Sequence, residues 1–289
     1  MATTIQSQTF GFEFEFYGMT RKQGAEAIAS YFNSTAYYSG NHYYTTDPKG
    51  RKWKVMRDGS IHAESGEGCE MVTPILRYDD IETLQDIIRL LRSKGAKTNS
   101  SCGIHIHVGA DEHDAKSLKN LMNIVYSKQD MIYRSLQVLP RRETNYAQKL
   151  SETKIMLLKI KKPKTLNELG ELWYGGSIAA NQQKYNSSRY HGLNLHNVWY
   201  GHTVEFRLFN STTHAGKAKA YIQFCLAMSA LAINSKSASS KQTVSDNEKY
   251  TFRTWLLRLG LIGDEFKTCR HHLLANLEGN SAWRNGQAQ

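Results

Sequence analysis

Phe12-Glu13-Phe14-Glu15-Phe16 alternates aromatic and acidic side chains with period two. As a β-strand it turns Phe12, Phe14 and Phe16 to one face and Glu13 and Glu15 to the other, the two carboxylates roughly 6–7 Å apart. Phenylalanine favours strands and glutamate does not, so local propensity gives no reason for the glutamates. Two like charges at that spacing repel unless a cation or a basic group lies between them. Taken alone, the stretch is equally well explained as a half-buried edge strand with a solvated face. The rest of the chain decides.

Three further strands share the habit. Gly68-Cys69-Glu70-Met71-Val72-Thr73-Pro74 sets Glu70 in an otherwise apolar run. Cys102-Gly103-Ile104-His105-Ile106-His107-Val108 turns both histidines away from Ile104, Ile106 and Val108. Thr203-Val204-Glu205-Phe206-Arg207-Leu208-Phe209 puts Glu205 and Arg207 opposite Val204, Phe206 and Leu208. Singly these have ordinary explanations: an exposed His-x-His alternation, a surface ion pair of little worth, a solvated edge glutamate. Side by side in one sheet, they make a face with four carboxylates, two imidazoles and a guanidinium. Gathering that many carboxylates without counter-charge is costly, and divalent cations remove the cost. A carboxylate-rich set with few nitrogen ligands suits Mg²⁺ or Mn²⁺ better than zinc.

Around these strands the chain reads as a single α+β domain over residues 1–289, with the strands mainly in 10–210 and a helical portion at 215–289. Thr20-x-x-Gln23 is a capping box opening a helix that runs to about Asn33. Two β-rich runs at 42–47 and 51–57 flank the turn Asp47-Pro48-Lys49-Gly50, and Asp58-Gly59 precedes a short run at Ser60–His62. Such hairpins predict antiparallel pairing. Helices are expected from Asp79-Asp80 and from Asp114. Residues 136–190 are less regular. They hold Pro140-Arg141-Arg142, the lysines at 154, 159, 161, 162 and 164, and a Thr165-x-x-Glu168 box. Strands at about 191–197 and 202–210 bracket a turn at Tyr200-Gly201. Helices follow at 215–234, 250–260 and 264–277.

The net charge of +11 suggests an anionic partner: nucleotide phosphates, nucleic acid or an anionic polymer. The lysine run itself reads as a solvated helix end. Four scattered cysteines, with no C-x-x-C pair, indicate neither a disulfide framework nor a cysteine zinc site, which fits a reducing cytoplasm. No run is long and apolar enough to span a bilayer, and the polar Met1–Thr9 stretch does not read as a signal peptide.

In their order, Gly11–Phe16, Asp58-Gly59-Ser60, Glu70–Pro74, Cys102–Val108 and Thr203–Arg207 resemble the amidoligase family. That family belongs to the carboxylate–amine ligase superfamily and is similar to glutamine synthetase and glutamate–cysteine ligase. The resemblance covers about residues 10–210. It implies a curved, mainly antiparallel sheet of the glutamine synthetase catalytic type with flanking helices. It also implies ATP-dependent amide-bond formation through an acyl phosphate, with Mg²⁺ or Mn²⁺ beneath the ATP phosphates. Carried over by motif, Glu13 and Glu15 ligate different ions, and Glu70, His105 and Glu205 join them. Asp58 falls near a further carboxylate position, but its spacing to Glu70 differs, leaving Glu64 or Glu67 as replacements. His107 and Arg207 sit near the transferred phosphoryl group or the substrate carboxylate, and Arg189 is a second guanidinium. The partners are a carboxylate substrate and an amine substrate, either of which a peptide or an anionic polymer could supply.

No side-chain nucleophile motif or phosphate-binding loop offers other chemistry. There is no G-x-S-x-G and no G-x-x-x-x-G-K-[ST], so phosphate handling falls to metals and arginines. Two rivals remain. His105-x-His107 followed by Glu112 has a cupin-like spacing for one transition metal, and the charge with sixteen tyrosines allows a nucleic-acid-binding protein on a degenerate ligase fold.

Overall fold

The expected aromatic–acidic strand is β1 (Thr9–Phe16), the central strand of the sheet. The computed structural model describes residues 2–283; the remaining ends of the expected 1–289 domain lie outside the described residues. Beside β1 lie β5 (Cys69–Val72) and β7 (Gly103–Gly109). Outward from β5 come β4 (Lys52–Arg57), β3 (His42–Thr46) and β2 (Tyr37–Ser39). Outward from β7 come β9 (Thr203–Asn210) and β8 (Leu193–Asn194), while β6 (Leu76–Arg77) adds to the start of β1. Every pairing between these strands is antiparallel, and the sheet is open and curved.

One face is apolar. Phe10, Phe12, Phe14 and Phe16 of β1 are at most 1% exposed, and Trp53, Met71, Ile104, Ile106 and Phe206 continue the layer. Against it pack α1 (Arg21–Tyr31), opened by the Thr20–Gln23 capping box, and α8 (Ala215–Asn234). Behind these lie α2 (Ile81–Ser93) and α3 (Ala115–Leu136), then α9 (Glu248–Arg258) and α10 (Lys267–Leu274), whose Phe252 and Leu273 belong to the same core. α8 is buried nearly all round, as its continuous apolar run from Tyr221 requires.

Four details differ from the sequence reading. Ser60–His62 forms no strand: Asp58 accepts hydrogen bonds from Ser60, which holds a loop there. The expected strand at 191–197 shrinks to β8, because His196–Gly201 coils into α7 and Tyr200-Gly201 belongs to that helix rather than to a turn. Residues 136–190 contain α4 (Pro140–Asn145), α5 (Glu152–Lys161) and α6 (Leu166–Tyr174). Finally, β9 carries a bulge. Ile106 pairs with Phe206 and Ile104 with Phe209, so Arg207 and Leu208 together oppose His105. Phe209, not Leu208, therefore returns to the core face, where it stacks on Tyr221.

His113 joins α3 to α8, its ring nitrogens 3.0 Å from the Ser117 hydroxyl and 2.9 Å from the Ser229 hydroxyl. Burial pushes its pKa down to about 4. The unfolded chain binds this proton near the ordinary histidine value of about 6.5, so the contribution is present above that pH and is lost as pH falls towards 4. Urea unfolding should show His113→Gln losing about 2 kcal/mol less stability than wild type between pH 7 and pH 5. Equal losses would assign the acid sensitivity to other groups.

Candidate metal and anion-binding cleft

Period-two alternation fixes which side chains meet. Across the sheet's second face, strand register aligns Glu70 with Glu15, Glu13 with His105, and His107 with Glu205 and Asn194. Glu15, His105, Glu205 and Arg207 are each at most 5% exposed. His105 stands at the centre. Its Nδ1 is 2.9 Å from Glu13 and 4.0 Å from Glu205, and its Nε2 is 3.6 Å from Glu15. Two sets of ligand atoms each gather within 4.8 Å, Glu13–His105–Glu205 and Glu15–Glu70–His105, so one imidazole is shared between them.

The second row locks these groups. Glu205 accepts from Asn194 at 2.7 Å and from Arg207 at 2.5 Å. Glu15 accepts from the Gly103 amide at 2.5 Å. His107 has Nδ1 3.1 Å from the Thr203 hydroxyl and Nε2 3.2 Å from Glu13.

Crowding shows in the protonation equilibria. Burial, then Glu13, Glu15 and Asp58, drive the Glu70 carboxyl well above the usual range. Burial opposes ionisation of Glu13 too, but the charge of His107 and hydrogen bonds from both histidines hold it well below. His107 is pushed up to about 9: burial disfavours its charge, and Glu13 and Glu205 outweigh that. Burial and the neighbouring carboxylates thus work against ionisation of Glu70. A divalent cation would offset that repulsion, and the oxygen-rich donors fit Mg²⁺ or Mn²⁺.

Above the carboxylates opens a cleft of about 520 Å³. Its walls are basic and aromatic: Lys54 and Arg57 on one side, Arg142, Lys184, Arg189 and Tyr190 on another. Among the other expected residues, Asp58 lines the cleft but belongs to neither close set. Arg189 stands at the wall, its guanidinium over the rings of Tyr185 and Tyr190 at 5.6 and 5.7 Å. Glu64 and Glu67 do not line the cleft: Glu64 accepts from the Tyr17 hydroxyl and Glu67 pairs with Arg21 at 2.7 Å. Glu112, needed for a cupin-like site, is exposed and accepts from the Thr3 hydroxyl instead of joining the histidines. The lysine run is only partly solvated: Lys154 donates to the Trp173 carbonyl at 3.1 Å and lies 3.9 Å over its ring.

Arg142 is the main residue that the sequence reading passed over. It is 3% exposed and lines the cleft, donates to the Arg207 carbonyl at 3.1 Å, and keeps a buried Nε with no partner. Burial lowers its pKa and the nearby Glu15 opposes that. A methyl group on Gly103 would collide with its guanidinium, so the glycine makes the room. The only sequence signal was Arg141-Arg142 after a helix-starting proline. Arg207 likewise has a buried Nε without a partner. Two unspent donors beside an acidic cluster supply the donor types that an anion next to a cation would need.

Compared with known families, residues 6–229 match the family described as "Putative amidoligase enzyme". No curated protein matches the chain.

Proposed function

The chain belongs to the amidoligase family, and from that premise we propose that it is an ATP-dependent carboxylate–amine ligase on a glutamine synthetase-type sheet. The carrying observation is the pairing of the shared-histidine carboxylate cluster with the free Nε donors of Arg142 and Arg207 in one cleft. Glu13, Glu15, Glu70, His105 and Glu205 would hold Mg²⁺ or Mn²⁺, with Asp58 at the cleft wall. When bound, these ions neutralise phosphate charge and orient the ATP γ-phosphoryl group.

The chain's own groups do the rest. His107, whose charged form is disfavoured by burial and favoured more strongly by Glu13 and Glu205, and Arg207 would offer positive charge to the phosphoryl oxygens. The substrate carboxylate takes the phosphoryl group and ADP departs; the amine then displaces phosphate from the acyl phosphate. Arg142, buried and directional, would face the substrate carboxylate or the oxyanion that forms on it. Arg189, at the outer wall, would meet the same substrate further from the reacting atoms. No side-chain nucleophile is required, and the four cysteines are buried. Those free cysteines support a reducing cytoplasmic setting, and no helix among the described residues is long and apolar enough to cross a membrane. Because the C-terminal helices share the sheet's core, we take the whole as one catalytic domain.

Mg²⁺ with ADP should raise the Tm of the full-length protein, and EDTA should reverse the rise, because a ligand that binds only the native state stabilises it by mass action. Magnesium-dependent ADP release should require both a carboxylate and an amine. An unchanged Tm with saturating Mg²⁺ and ADP would count against the reading, as would ADP release that needs no metal.

A further inference from the structure

The cleft has two ends of different chemistry. Its deep end is the carboxylate cluster with the partnerless Nε donors of Arg142 and Arg207. Its outer end lies over β3 and β4, where His42, Lys54 and Met56 line it, and Lys184 lines it from the opposite wall. Strand register sets the distance between them. Glu13 pairs with Val72 and Val72 with Lys54, so Lys54 stands two strands from Glu13 on the same face, roughly 10 Å away. His42 is one strand further out, roughly 14 Å from β1. Val72 and Met56 make the floor between the ends apolar.

Nothing in the metal-and-phosphate chemistry uses the outer end. Lys54 and Lys184 pair with no carboxylate among the described residues, and Lys184 is exposed, its ammonium 5.4 Å from the centre of the Tyr185 ring. Both charges act on His42 from opposite walls: burial, then Lys54, Arg21 and Lys184, push its pKa down. Arg21 is spent on Glu67, whereas the two lysines are not spent. The His42 Nδ1 is buried without a partner. Of the acids that line the cleft, Glu13, Glu15 and Glu70 belong to the deep end, and Asp58 acts on Glu70. Two unpaired ammonium groups beside an unsatisfied imidazole nitrogen are the donors that an anion requires.

We propose that the carboxylate substrate carries a second anionic group, a carboxylate or a phosphate, which this outer end holds about 10 Å from the reacting carboxylate. The inference rests on the ligase reading. On that reading the charges of ATP lie in its phosphates above the cluster, and its sugar and base are uncharged, so ATP leaves Lys54 and Lys184 unneutralised. An amine substrate arriving as an ammonium ion would be repelled there. A simple monocarboxylate would fill the deep end and leave the outer cations without a partner. A substrate with two anions uses the whole cleft, its connecting chain resting on Val72 and Met56.

The test is titration calorimetry of three end-capped peptides on the full-length protein, with and without Mg²⁺ and ADP. The peptides are Glu-Ala-Ala-Glu, the same chain ending in phosphoserine, and a control ending in Gln. An extended chain advances about 3.3–3.6 Å per residue, so the two end side chains can stand about 10 Å apart. The two doubly anionic peptides should bind about tenfold or more tightly than the control. That advantage should shrink to about threefold or less in Lys54→Gln and in Lys184→Gln, and should weaken as salt rises. The larger advantage, phosphoserine or glutamate, names the second anion as phosphate or carboxylate. The proposal is overturned if no peptide binds, if all three bind equally, or if both variants keep the full advantage. It is overturned equally if the variants lose the Tm rise given by Mg²⁺ and ADP, because the lysines would then serve the nucleotide. In wild type, no Tm response to Mg²⁺ and ADP with the peptide preference intact would overturn the ligase reading and leave the anion site standing. A normal Tm response with equal peptide affinities would overturn this inference alone.

Discussion

Glu205→Gln and Glu13→Gln should each abolish ATP turnover, by at least about a thousandfold, with the fold kept. Each removes a negative ligand atom at unchanged shape, and metal-assisted charge stabilisation is worth several kcal/mol, each ~1.4 being tenfold. Glutamine at 205 keeps one acceptor oxygen, enough for the Arg207 guanidinium, and gives up only the bond from Asn194, so the fold is kept. Glu70→Gln separates this reading from simple damage. The Glu70 carboxyl has its pKa raised by burial and by Glu13, Glu15 and Asp58. A raised carboxyl pKa means that ionisation works against the native state, so stability from this group falls as pH rises above the unfolded value. Glu70→Gln should therefore stabilise the cation-free protein at pH 8 while losing turnover and the Mg²⁺-induced rise in Tm. Normal turnover in the Glu13 and Glu205 variants would remove the cluster from the chemistry.

Arg142→Lys should cut turnover about a hundredfold or more. Lysine keeps the charge but loses the planar fork, and the free Nε donor goes with it. Arg142→Ala would leave a buried gap beside Glu15, so the lysine variant is the cleaner probe. Gly103→Ala supplies an independent route to the same outcome: the added methyl collides with the guanidinium, and Arg142 must leave its place while every other cleft residue is unchanged. Both variants should weaken the apparent affinity for the carboxylate substrate more than that for Mg²⁺. Full activity in Arg142→Lys would reduce this residue to a structural prop.

Alternation made one face of the site legible in advance. In β1, β5 and β7 each polar residue is separated from the next by an apolar one, so the strand period alone sends Glu13, Glu15, Glu70, His105 and His107 to a common side, where the structure has them. The neighbours of each strand were not legible, because pairing order depends on contacts far apart in sequence. Arg142 shows why: its place is made by the missing side chain of Gly103, a fact carried by neither segment alone. Residues 191–201 misled for a different reason. Leu193-Asn194-Leu195 alternates as a strand does, but the Asn194 side-chain oxygen accepts from the His196 amide at 2.8 Å where the chain coils into α7. Leu208 misled because a bulge leaves no mark in the alternation.

That bulge gives β9 a spare position. Excising Leu208 would leave Arg207 opposite His105 and Phe209 opposite Ile104 in an unbroken ladder, with no side chain turned over. Excising any residue from Val204 to Phe206 would instead invert part of the strand, carrying carboxylate into the core and phenylalanine into water. Tolerance to shortening in this strand is thus confined to one link, and the strand's length elsewhere is as constrained as its charges.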